Sequence, residues 1–87
     1  MESNVITQEV NIYPNPFSTE ATVSTGNLLK NATLTVYNTN GQAVKEIKNI
    51  NGYTITLHRD NLPAGLYFVQ LTQDSKVIAT QKLIITD

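Results

Sequence analysis

The sequence predicts an all-β domain of antiparallel strands joined by short turns. Three observations carry the prediction. Thr, Asn, Val and Ile dominate the chain, and no segment sustains the apolar period of about 3.6 residues that a half-buried helix requires. Turn signals recur at the spacing of about 8–12 residues typical of short paired strands. Residues 60–71, Asp-Asn-Leu-Pro-Ala-Gly-Leu-Tyr-Phe-Val-Gln-Leu, join a stiff turn to the most β-prone run in the chain.

Residues 5–13 read as a first strand, stopped by Pro14-Asn15-Pro16, because proline offers no N–H to a ladder. Residues 21–25 read as a second strand, closed by Gly26-Asn27. Residues 32–37 alternate cleanly, with Leu34 and Val36 expected inward and Thr33, Thr35 and Tyr37 outward. Asn40-Gly41 is the strongest short hairpin signal in the chain, so residues 42–47 are expected to pair antiparallel with the preceding strand. There the spacing of Val44 and Ile47 breaks the alternation and marks a bulge or a sheet edge. Asn51-Gly52 reads as a second turn of the same type, leading into Tyr53, Ile55 and Leu57 alternating with Thr54, Thr56 and His58.

Within residues 60–71, Pro63 fixes one φ angle and Gly65 can hold a positive φ. Tyr67, Val69 and Leu71 then share the core-facing alternate, with Leu66, Phe68 and Gln70 on the other. A glycine two residues before a strand-opening tyrosine matches the tyrosine corner, in which the phenol bonds upstream backbone; here the expected acceptor lies within residues 59–63. Asp74-Ser75 reads as a tight turn and residues 76–86 as the last strand. The whole pattern is that of an immunoglobulin-like antiparallel β-sandwich of about seven strands.

A chain of 87 residues, 40% apolar, makes one domain. Its charge of −1 with dispersed lysines gives no electrostatic case for nucleic acid or an anionic membrane. No run approaches the roughly 18 apolar residues of a membrane helix, so no direct membrane insertion is expected. Absence of cysteine excludes a disulfide scaffold and leaves the compartment open.

Nothing in the chain points to catalysis. The acids are isolated from one another, and neither a calcium loop, a zinc spacing nor a Gly-rich phosphate loop occurs, so no metal or cofactor is expected. His58 is the single histidine and falls on a polar alternate, without a neighbour in sequence to position it as a base. Ser18, Ser24 and Ser75 lack a nucleophile context, and Asn31-Ala32-Thr33 matches a glycosylation acceptor by letter only. Tyr13, Tyr37, Tyr53 and Tyr67 suggest a sugar-stacking platform, but no tryptophan accompanies them, and Tyr53 and Tyr67 are phased with the core; packing is the preferred role.

The motifs go further than the composition. Val10-Asn11-Ile12-Tyr13-Pro14-Asn15-Pro16-Phe17 resembles the opening Tyr-Pro-Asn-Pro block of the C-terminal sorting domains carried by type IX (Por) secretion substrates of Bacteroidota. Leu34-Thr35-Val36-Tyr37-Asn38 and Asn40-Gly41-Gln42-Ala43-Val44 are similar to that family's next block. Leu62-Pro63-Ala64-Gly65-Leu66-Tyr67 matches its Leu-Pro-x-Gly-x-Tyr block, and Lys82-Leu83-Ile84-Ile85 its closing segment. The blocks fall in family order across residues 10–86.

The resemblance implies a non-catalytic sorting signal at the end of a secreted cargo. The cargo passes through the periplasm, crosses the outer membrane and reaches the cell surface or medium. Implied partners are the outer-membrane type IX translocon, a shuttle protein, a sortase that removes the signal, and an N-terminal cargo domain in the parent protein. Residues 1–9 are then a flexible lead-in and the start of the first strand, holding part of the cleavage region, and residues 10–87 are the sorting domain. Where many members finish close to a basic residue, this chain ends Ile85-Thr86-Asp87. Recognition is expected on the last strand, at Lys82, Leu83, Ile84, Ile85 and Thr86, because a terminal strand at a sheet edge offers unpaired backbone groups. Tyr13, Pro14, Asn15, Pro16, Gly41, Leu62, Pro63, Gly65 and Tyr67 are expected to be structural. The competing readings are an adhesive or carbohydrate-binding sandwich module and a passive spacer of fibronectin type. An exposed row of aromatics would favour the sugar binder.

Overall fold

The computed structural model describes residues 10–87; the expected lead-in and first half of the opening strand lie outside the described residues. The described chain is all-β: β1 (Val10–Tyr13), β2 (Glu20–Tyr37), β3 (Ala43–His58), β4 (Gly65–Gln73) and β5 (Lys76–Ile85). These form one antiparallel five-stranded sheet in the order β1-β2-β4-β5, with β3 also paired to β2. The sheet curls far enough for Phe17, after β1, to bridge to Ile85 of β5.

About seven expected strands therefore appear as five continuous ones. Residues 21–25 and 32–37 are two ends of β2, and residues 43–47 and 53–58 two ends of β3. The near end of β2 lies between β1 and the far end of β3, while its far end lies between the near end of β3 and β4. Neither Gly26-Asn27 nor Asn51-Gly52 reverses the chain. They fall at one irregularity, where the β2–β3 register shifts between Ser24 and Leu29 and again toward Leu34. Asn31 at φ +49°, Asn49 at φ +58° and Gly52 at φ +108° absorb the bend. Asn51 patches the broken ladder, accepting from the Asn31 N–H at 3.2 Å and donating to the Asn49 carbonyl at 3.1 Å. Two turn signals facing each other in one ladder let both strands bend together, and most pairing survives.

The remaining turns reverse the chain as expected. At Asn40-Gly41 the Gly41 N–H donates to the Asn38 carbonyl and the Asn38 N–H to the Gln42 carbonyl, both at 3.0 Å. Gly41 holds φ +82°, and the Asn38 side chain accepts from the Asn40 and Gln42 N–H groups. The loop is thus a three-residue turn closed by glycine, one residue longer than the tightest Asn-Gly hairpin. Leu34 and Val36 are fully buried, as the alternation requires. Thr35, expected outward, is buried as well, since its strand is flanked by the longer Glu46 and Gln70 across both ladders. Val44 is exposed on the near end of β3, which pairs only with β2 and is therefore an edge.

Asp74 (φ +55°) and Ser75 (φ +62°) make a two-residue turn between Gln73 and Lys76. Positive φ at both central positions matches the twist of the flanking strands, but a side chain there is strained. Ser75→Gly is expected to stabilise the domain by about 0.5–1 kcal/mol. Urea unfolding checks this: the midpoint rises while the slope stays constant.

The core runs through the curl and includes Phe17, Val23, Leu29, Leu34, Leu57, Leu71, Leu83 and Ile85. Tyr67 joins it, and its hydroxyl donates to the Pro63 carbonyl at 2.5 Å, inside the expected 59–63 stretch. Gly65, at φ +155°, allows the backbone between them a conformation that side chains resist. A Cβ there meets nothing within 4 Å, so the restriction is conformational rather than steric crowding. Tyr67→Phe is expected to cost about 1 kcal/mol, the usual net worth of one such bond. A melting curve identical to that of the parent domain would show the bond to be idle. Tyr53 departs from expectation. It is 56% exposed despite its core phase, because it sits beside the Gly52 bend, where the ladder has lost register.

Candidate functional site

Strand alternation divides the expected recognition segment in two. Leu83 and Ile85 are buried in the core, whereas Lys82, Ile84 and Thr86 are exposed. Leu83 and Ile85 therefore have no free side chain to offer a partner while β5 stays docked. On the outer face Ile84 stands opposite Leu66, and Lys82 opposite Phe68, which in turn faces Tyr37 of β2. Leu66 and Phe68 are each 39% exposed and Ile84 37%. The Tyr37 hydroxyl is held at 3.3 Å from Gln70 Oε1, at the polar border of this strip. The result is a contiguous apolar strip with one lysine on it. β-Propensity alone made Leu66 and Phe68 strand formers; only the register shows that they join Ile84.

The backbone edge of β5 differs from expectation. From the Lys82 carbonyl to the Thr86 N–H its outward backbone groups are already paired. The Asn15 carboxamide donates Nδ2–H to the Lys82 carbonyl at 3.1 Å and accepts from the Ile84 N–H at Oδ1, at 3.0 Å. Phe17 continues the pairing: its N–H donates to the Ile84 carbonyl at 3.0 Å, and its carbonyl accepts from the Thr86 N–H at 2.8 Å. Flanked by Pro14 and Pro16, Asn15 has no N–H on the neighbouring residues to work with, and its side chain supplies a donor and an acceptor in the manner of a peptide group. The signal was present in the sequence, as an amide side chain between two prolines, but not the partner it meets.

Arg59 fastens the same end of the sheet and was not singled out from sequence. Its Nε–H donates to the Leu62 carbonyl at 2.9 Å, and Nη1 to the Ser18 and Thr86 carbonyls, each at 3.2 Å. Nη2 reaches Asp87 Oδ1 at 3.0 Å. The guanidinium fork thus ties the loop after Phe17, the turn before β4 and the tail after β5. Beside it, Lys45 bonds Asp60 and holds that exposed carboxyl below its usual range. His58 is exposed, with Nδ1 3.6 Å from Glu20 Oε1, and lines a surface hollow with Ser18, Thr19, Arg59 and Asp60.

Most of the residues expected to be structural lie around this end. Tyr13 is exposed, Pro14 and Pro16 carry the chain from β1 to β5, and Leu62 packs partly buried against the core beneath Pro63. Gly41 lies at the β2–β3 turn, outside the Asn15–Arg59 cluster. Tyr13 and Tyr53 are both more than half exposed, but on different alternates: Tyr13 shares that of exposed Asn11, Tyr53 that of buried Ile55 and Leu57. They do not form a row on one face.

A family model described as "Secretion system C-terminal sorting domain" matches residues 11–86. Comparison with curated proteins gives no match.

Proposed function

We propose, from the premise that this chain belongs to the secretion system C-terminal sorting domain family, that its outer strip at β4–β5 is the surface the export machinery reads. The chain is a C-terminal sorting signal for type IX secretion, and its parent protein is exported to the cell surface or the extracellular space. Beyond that, the reading is that the folded domain follows an N-terminal cargo through the periplasm. A shuttle protein and the outer-membrane translocon carry it across, and a sortase then removes it. The domain acts by being recognised and does no chemistry of its own. The family match across residues 11–86 is the observation that carries this reading. The strip of Leu66, Phe68, Ile84 and Lys82 supports the location, since exposed apolar groups beside a charge suit a protein partner. For the sugar-binding alternative, Tyr13 and Tyr53 fall on different alternates and offer no shared face.

A reporter placed ahead of residues 1–87 and sent to the periplasm of a type IX-competent host is expected to reach the surface or medium. Lys82→Glu is expected to keep the melting curve, since a charge reversal at an exposed strand position shifts stability by about 0.5 kcal/mol or less. Export of that variant is expected to fall. A reporter that stays in the periplasm behind the intact domain would end the sorting reading.

A further inference from the structure

The outer strip of β4 and β5 carries a cation and no acid. In the paired rows of this face stand Tyr37, Phe68 and Lys82, then Thr35, Gln70 and Thr80, with Leu66 opposite Ile84 at the end. Lys82 is the only charged residue of that set. Among the described residues no carboxylate pairs with its ammonium. The acids at the borders are engaged elsewhere. Glu46, opposite Thr35 and three strand spacings (about 14 Å) from β5, lies 3.7 Å from the Lys48 ammonium, and Asp87 is held by Arg59 at 3.0 Å.

The strip is also fixed in place. β4 pairs one edge of β5, and on the other Asn15 and Phe17 bond the Lys82 carbonyl and both backbone groups of Ile84. A partner therefore meets a surface that needs little ordering, and the cost of binding falls on desolvation. Covering Leu66, Phe68 and Ile84 is favourable. The same cover takes water from the neighbouring ammonium, which is costly unless an opposite charge meets it. That requirement selects the occupant. Two copies of the strip face to face would bring two lysines and no carboxylate. An anionic lipid surface draws on clusters of basic residues, and here one lysine stands on a chain of charge −1.

Resting on the sorting reading above, we propose that the strip docks a protein surface on which apolar side chains surround one carboxylate, and that this Asp or Glu pairs with the Lys82 ammonium. Leu66, Phe68 and Ile84 supply the buried area. The ion pair sets which surface is accepted and in which orientation.

Lys82→Met separates charge from apolar fit, because it keeps an unbranched apolar stem and removes the ammonium. In the reporter assay its export is expected to fall about tenfold or more, with Lys82→Glu lower still. Lys82→Arg returns the charge and is expected to recover most of the loss. Phe68→Thr, which keeps strand propensity and removes the ring, is expected to lose export as well. Cooperative melting of each purified variant shows that the fold is kept, and Ile84→Thr takes the place of a Phe68→Thr domain that does not melt cooperatively. Parental export of Lys82→Met beside failure of Phe68→Thr overturns the proposal and leaves a purely apolar site. Failure of Lys82→Arg as complete as that of Lys82→Met overturns it too. Parental export of both Lys82→Met and Phe68→Thr removes the strip itself, and periplasmic retention of the parent reporter removes the sorting reading, each a distinct result.

Discussion

Replacing Phe17 with alanine destabilises the domain by about 3–5 kcal/mol, the range for truncating a buried aromatic ring. The ring is 2% exposed and sits where the curled sheet closes on itself. Its backbone makes the pair of bonds that lock the segment after β1 onto β5. Truncation leaves a cavity at that seam, and the neighbouring groups have little freedom to collapse into it, because the ladder fixes both sides. Small domains hold only about 5–15 kcal/mol in all, so the loss is a large share of the total. Thermal unfolding is the measurement, with a fall in Tm of about 15 °C or more expected for a domain of this size. A fall below about 4 °C would mean that the seam holds without the ring.

Leu83→Ala is the second large effect, about 2–5 kcal/mol, for a side chain with no exposure at all. Its neighbour Lys82, one residue away and exposed, tolerates reversal of charge at almost no cost in stability. In the export assay both variants are expected to fail, for different reasons that a melting curve separates. Leu83→Ala fails together with its fold, and partial rescue follows from Leu83→Met, which restores volume. Lys82→Glu fails with the fold intact. Should Leu83→Ala melt like the parent domain, β5 would not be the core strand that its alternation indicates.

What the sequence determined by itself is local. Leu34 and Val36 inward, Tyr67 inward with its phenol on the preceding turn, Gly41 at a chain reversal and Asp74-Ser75 at another are consequences of period-two alternation and of φ restrictions. Both act within a few residues, so both are visible in a linear string. The ordered blocks from Tyr13 to Ile85 likewise sufficed to identify the family. Tertiary structure decided whatever depends on a distant partner. Asn51-Gly52 has the letters of a hairpin and is a bend, because the irregular stretch of β2 lies opposite it and the two strands yield together. Tyr53 has core phase and is exposed, because that same bend takes it out of the ladder. The edge of β5 is the sharpest case. A last strand ought to be open, and from the Lys82 carbonyl to the Thr86 N–H it is not, because Asn15 and Phe17, far away in the chain, supply donors and acceptors in the right places. Hydrogen bonds between residues some 67–69 positions apart leave no periodicity in the sequence, and only the closed curl of the sheet brings them within 3 Å or so.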